Sequence, residues 1–141
     1  MALVGGGSAG NVAGGTNPAG TGSNLNYIGD RVYAISGEIT VNSNTVTQLD
    51  FTTGPEYIMA TYQFGFDSTN MSGSDRLGYI VQFNGTKIYE MIPLLKPDYA
   101  IMSIDPLNLV IPPFTRVTIE SLTTEGADVG TWGVIAGRYY L

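Results

Sequence analysis

Residues 107–122 read LNLVIPPFTRVTIESL. Before Pro112-Pro113, Leu107, Leu109 and Ile111 alternate with Asn108 and Val110. After the prolines, Phe114 and Thr115 lead into Val117, Ile119 and Leu122, with Arg116, Thr118 and Glu120 on the other parity. Alternation at period two with β-branched residues is the mark of a half-buried strand. A proline has no N–H to donate and a fixed φ, so the pair cannot sit inside a central strand. The stretch reads as strand, sharp corner, strand, which is how a chain builds a sandwich or a barrel.

The neighbouring stretches repeat the pattern. Arg31–Ser36 and Glu38–Val41 read as short strands broken at Gly37. Thr45–Thr52 (TVTQLDFT) is a strand whose Val46, Leu49 and Phe51 fall out of strict register, which predicts a bulge. Glu56–Phe66 is long, with Ile58, Ala60, Tyr62, Phe64 and Phe66 forming its more apolar face. Arg76–Phe83 and Thr86–Ile92 flank Asn84-Gly85, the strongest short hairpin signal, because a type I′ turn needs two positive φ angles. Pro93–Pro106 is irregular, Thr124–Gly130 is an acidic loop, and Thr131–Leu141 is a last strand, with Trp132 expected in the core. No capped amphipathic segment suggests a helix. Eight or nine short strands with longer connections predict an all-β, single-domain β-sandwich, a jelly roll rather than an up-and-down barrel.

With 141 residues the chain has the length of one domain. Much of its glycine lies in residues 1–24, MALVGGGSAGNVAGGTNPAGTGSN, which carry almost no large side chains and no charge. Such a segment buries too little apolar surface to offset its ordering entropy. The expected division is therefore a Gly-rich extended arm over 1–24 and a sandwich over 25–141. The start has no basic n-region and no long apolar h-region, so a secretory signal is not expected.

Charge and residue types narrow the chemistry. Six Lys+Arg against twelve Asp+Glu leave a net charge of −6, which disfavours a nucleic-acid partner. The chain has no Cys and no His, which removes thiol nucleophiles, Ser-His-Asp triads, disulfides and ordinary zinc sites. No apolar run has the length of a membrane-spanning helix, so no membrane partner is expected.

Asp67, Asn70, Ser72, Ser74 and Asp75 offer hard oxygens, but their spacing departs from a calcium loop and reads as a solvated turn. Asp98, Asp105, Glu120, Glu125 and Asp128 could supply a carboxylate pair, yet nothing sets two of them across a cleft. Tyr57, Tyr62, Tyr79, Tyr89, Tyr99, Tyr139 and Tyr140 could form a sugar-stacking platform; their placement on strands favours core and interface roles. No catalytic residue, metal ligand or cofactor is expected, and the chain does not read as an enzyme.

Five stretches carry a resemblance: MALVGGGSAGNVAGGTNPAG, NYIGDRVYAISGEI, TQLDFTTGPEYIMA, VQFNGTKIY and LVIPPFTRVTI. Together they resemble small virion-associated β-sandwich proteins of tailed phages, especially marine ones. The resemblance spans nearly the whole chain and its motifs are structural. It implies a capsid decoration (cement) protein bound to the major capsid protein on the virion surface, or a receptor- or glycan-binding tip of a tail fibre or spike. A homo-oligomer is expected, because the aromatic stretch Arg138-Tyr139-Tyr140-Leu141 should not be left in water, and the resemblance to jelly-roll virion proteins, which commonly form trimers, makes the expected number three. The expected partner-binding residues are Leu3, Val4 and Val12 in the arm and Tyr139, Tyr140 and Leu141 at the end.

Overall fold

A computed structural model describes residues 22–67, 69, 76–92, 104–124, 126 and 128–140, with side chains described from residue 25. Ten strands follow in order: β1 Gly22–Ile28, β2 Arg31–Ile35, β3 Ile39–Val41, β4 Thr45–Thr52, β5 Tyr57–Phe66, β6 Leu77–Phe83, β7 Thr86–Met91, β8 Leu107–Ile111, β9 Arg116–Thr123 and β10 Val129–Tyr140. No helix occurs among the described residues.

All pairings are antiparallel, in two sheets. The first runs β1-β2-β10-β5-β8, with β3 also on β10; the second runs β4-β9-β6-β7. β2 and β3 lie end to end along β10, Ile35 opposite Val134 and Ile39 opposite Thr131. They are one edge interrupted at Gly37, whose φ is +69°. Ser36 spans the gap, its N–H donating to Gly133 O (3.0 Å) and its Oγ accepting from Gly133 N (2.8 Å). Counted this way, eight strands face each other as β2/β3-β10-β5-β8 and β4-β9-β6-β7. The connections β4 to β5, β5 to β6, β7 to β8, β8 to β9 and β9 to β10 each switch sheets. That is the jelly-roll path, with β1 added at an edge.

The expected alternation holds on β5, where Ile58, Ala60, Tyr62 and Phe64 are buried and Tyr57, Met59, Thr61 and Gln63 face out. On β6, Leu77, Tyr79 and Val81 point inward, although Gly78 is buried on the other parity. Tyr62, Phe64 and Tyr79 fill the middle of the sandwich, with ring centroids 4.8 Å (Tyr62–Tyr79) and 5.2 Å (Phe64–Tyr79) apart. Each such pair adds about 1 kcal/mol beyond area burial.

The bulge in β4 falls at Gln48, since Thr47 pairs with Glu120 and Leu49 with Ile119. It turns the Gln48 side chain into the core, 3% exposed. Tyr62 Oη donates to Gln48 Oε1, Gln48 Nε2 donates to Thr131 Oγ1 (3.5 Å), and Thr131 Oγ1 donates to Ser121 Oγ (3.0 Å). Burial pushes the Tyr62 phenol well above its ordinary pKa, so it remains a donor. This polar chain ties β4, β5, β9 and β10 across the two sheets.

Two expectations are corrected. Trp132 is not core: Val129, Thr131, Gly133 and Ile135 hold the inward parity of β10, and the indole lies outside over Gly65, 38% exposed. The inward set of β9 is Val117, Ile119, Ser121 and Thr123, and Leu122 falls on the outward parity.

Candidate functional site

The end of the sandwich that carries the β1–β2, β4–β5, β6–β7 and β8–β9 turns is closely stitched. At the Pro112-Pro113 corner, where two N–H donors are missing, Thr53 is the hub. Its Oγ1 donates to Pro112 O (2.7 Å) and accepts from Thr115 N (2.9 Å), and its own N–H donates to Thr115 O (3.0 Å). Phe114 N donates to Gly54 O (2.9 Å). Asn84 and Gly85 both take positive φ, +51° and +82°, as the hairpin reading required. Asn84 N donates to Arg116 O, and Arg116 N donates to Asn84 Oδ1, at 2.8 and 2.9 Å.

This fixed corner holds Phe114 in an unusual state. Its φ is +54°, in the left-handed region where a bulky residue is a true outlier. Its ring is also 71% exposed. The residue therefore carries two local costs, backbone crowding, which the hydrogen bonds of the corner impose and offset, and bare aromatic surface.

The outer face of the first sheet runs to this same end of the sandwich. Register sets Tyr140 beside Tyr57, Arg138 beside Met59, and Val110 beyond Met59. Tyr57 and Tyr140 stack at 5.2 Å and 18°. Met59, Thr61, Asn108, Val110, Arg138 and Tyr140 line an open groove of about 430 Å³. A second groove of about 440 Å³ lies on the other side of Ala136-Gly137, between Ile28, Arg31 and Tyr33. Asp30 accepts from Arg138 Nε (3.1 Å) and sits 3.4 Å from Arg31 Nε. The hydrogen bond from Arg138 holds the Asp30 carboxyl below the usual aspartate range.

The outer face of the second sheet is polar across β4 and β9, with Thr47, Asp50, Thr52, Arg116, Thr118 and Glu120 pointing outward, while its edge strand β7 exposes Ile88 and Tyr89. Arg116 grips Asp50 in a two-point pair, 3.0 and 2.8 Å.

Of the expected partner-binding residues, Tyr139 and Tyr140 end β10. Tyr139 is half-buried, edge-on to Tyr27 at 5.3 Å, while Tyr140 faces out. Leu3, Val4, Val12 and Leu141 lie outside the described residues, as do Asn70, Ser72, Ser74, Asp75, Asp98, Tyr99 and Glu125. Asp67 accepts from Thr69 N (2.9 Å), a local turn bond. Glu120 is on the second sheet, whereas Asp105 and Asp128 flank the ends of β8 and β10 in the first. Among the described residues no three acidic groups gather as a metal site. Tyr62 and Tyr79 are core, and burial pushes the Tyr79 phenol up to about 12. Met59, Val110 and Phe114 were not singled out in the sequence. The first two share parity with outward neighbours and could have been; nothing marks the third.

No family model and no curated protein matches the chain. Among solved structures it is similar to the infectious bursal disease virus VP2 subviral particle (15% identity, TM-score 0.46, 81% of this chain and 34% of that one). It is also similar to a structure of the Gx strain of the same virus (13% identity, TM-score 0.45, 87% and 35%). This chain thus spans about a third of the length of each. The fold assignment rests on the strand order above, and neither likeness bears on function.

Proposed function

We propose that this protein is a structural virion component: a capsid decoration (cement) protein that binds the major capsid protein on the head surface of a tailed phage, without enzymatic activity. The observation that carries the reading is the exposed apolar cluster on the outer face of the first sheet of a stitched jelly roll. Exposed Tyr57, Met59, Val110 and Tyr140 share one sheet face, whereas the opposite face is polar across β4 and β9. Exposed apolar groups gathered on a preorganised platform suit a protein that stands on another protein. The phage-like stretches in the sequence support the same reading. In this account residues 1–24 are the attachment arm, with Leu3, Val4 and Val12 as anchors. Tyr139, Tyr140 and Leu141 form the C-terminal contact, and copies associate as a trimer.

The test is rebinding to particles stripped of the native protein. The full chain should bind, and a chain lacking residues 1–21 should melt at the same temperature but bind far more weakly. Equal binding by both would remove the arm from the attachment.

The stacked Tyr57–Tyr140 pair beside an open groove favours a second reading, a glycan-binding fibre tip, since aromatic faces stack on sugars. A glycan array in which Tyr57→Ala or Tyr140→Ala abolishes a specific signal would favour the tip.

A further inference from the structure

The outer face of the first sheet is divided end to end. At the turn-rich end stand Ile28, Tyr57, Met59, Val110 and Tyr140, all exposed, and Phe114 is exposed in the β8–β9 turn at the same end. Among the described residues, the charged groups on this part of the face are Arg31, Arg138 and Asp30 between them. At the other end stand Trp132 and Val134. Around them are four exposed carboxylates. Glu38 lies over Gly130, Asp67 donates its N–H to Gly130 O, Asp128 accepts from Asn42 Nδ2 (2.8 Å), and Asp105 precedes β8. Arg76 is the basic residue described at that end. One face thus offers aromatics with arginines at one end and aromatics with carboxylates at the other.

We propose that these two ends dock onto one another between copies of this chain. The Phe114 end of one copy receives the Trp132 end of the next, a heterologous contact that generates rings or filaments according to its closing angle. Charge complementarity selects this occupant. Face-to-face pairing of like ends would set acidic end against acidic end or arginine against arginine, whereas head-to-tail pairing brings Arg31 and Arg138 to Glu38, Asp67, Asp105 and Asp128. Apolar matter on both sides supplies burial, and Trp, Tyr and Arg are the residue types that dominate interfaces. The exposed, left-handed Phe114 then has a function: its ring is presented to the neighbouring copy. This docking gives the self-association proposed above a geometry and takes Tyr57, Met59, Val110 and Tyr140 into the contact between copies; sedimentation tests it without any virion, so its failure and that of the virion reading are separate.

The test uses the full chain in sedimentation velocity across a concentration series. The parent should associate at low salt and weaken at about 1 M salt, where the screening length falls to about 3 Å. Phe114→Gly separates docking from folding. Glycine adopts a φ near +54° without a Cβ clash, so the variant should melt no lower than the parent. Its dissociation constant should rise about tenfold or more. The double variants Arg31→Glu/Arg138→Glu and Glu38→Lys/Asp105→Lys should each be monomeric at concentrations where the parent associates. Mixed, they should associate again, because the intact arginine end of one variant meets the intact carboxylate end of the other, and the two reversed ends are themselves opposite in charge. A parent that stays monomeric, an association indifferent to salt, a Phe114→Gly variant that assembles like the parent or melts below it, or a mixture that stays apart would each overturn the proposal.

Discussion

Replacing Gly133 by Ala should damage the molecule far out of proportion to one methyl group. Gly133 lies on the inward parity of β10, and a Cβ there would fall against Gln48 Oε1 and within 2.8 Å of Tyr62 Oη and 2.9 Å of its Cε1. Those atoms belong to the polar chain Tyr62–Gln48–Thr131–Ser121, which is buried throughout. The methyl can be accommodated only by moving the tyrosine or breaking its bond to Gln48. Overpacking costs about 1–3 kcal/mol, and a buried hydroxyl or carboxamide left without its partner costs about 1–3 kcal/mol more. Together these give a loss of about 2–6 kcal/mol, a large share of the roughly 5–15 kcal/mol typical of a domain. The assay is guanidinium unfolding followed by circular dichroism, where the midpoint should fall at unchanged slope. Gly29→Ala is the control: its φ is +60° with nothing within 4 Å of the added atom, so it reports backbone strain alone, about 1–2 kcal/mol. In a Gln48→Ala background the Gly133→Ala cost should shrink, because the nearest obstruction has gone. A Gly133→Ala cost no larger than that of Gly29→Ala would refute the close inter-sheet packing.

Thr53→Val keeps shape but strips the hub of the proline corner, leaving Thr115 N–H and Pro112 C=O without their partner. A loss of about 2–3 kcal/mol in unfolding free energy is expected, and a neutral result would mean the corner is held by the prolines alone. Asp30 and Asp50 are held below the ordinary aspartate range by hydrogen bonds to Arg138 and Arg116. The unfolded chain therefore takes up protons first. The stabilisation is complete above about pH 4 and is lost as pH falls through the lower folded values. Both pairs are exposed, so the effect is small, and Asp50→Asn should flatten the acid limb of midpoint against pH. Trp132 is the sole tryptophan, and in the folded, dissociated protein its emission should report a half-exposed indole that iodide quenches; a blue, unquenched band from that monomer would return it to the core.

Much of the fold could be read from the chain because local rules and tertiary packing agree there. Asn84-Gly85 needs two positive φ angles and takes them, β5 alternates cleanly, and the misfit in TVTQLDFT marked the Gln48 bulge. Other features could not be read. Trp132 between two glycines looked like core filling, but parity along β10 governs, and Thr131 holds the inward place beside it. β1 has only Leu25 and Tyr27 as buried apolar anchors and a shifted register opposite Ile35 and Tyr33, so it shows little strand pattern. Ser121 and Thr131 occupy inward positions because the Gln48–Tyr62 chain satisfies them, a match made between strands far apart in sequence. The docking face was half legible: outward Tyr57, Met59 and Thr61 share a parity, but the left-handed φ of Phe114 arises from the stitching of two turns and leaves no local mark.

The most direct measurement of the central claim is the stoichiometry of this protein in purified virions, by quantitative mass spectrometry against the major capsid protein. A decoration protein on the head surface predicts a copy number in fixed, near-stoichiometric proportion to the capsid subunit. Absence from the particle would contradict a virion role, and a low copy number matching the tail fibres would contradict decoration and leave the fibre tip.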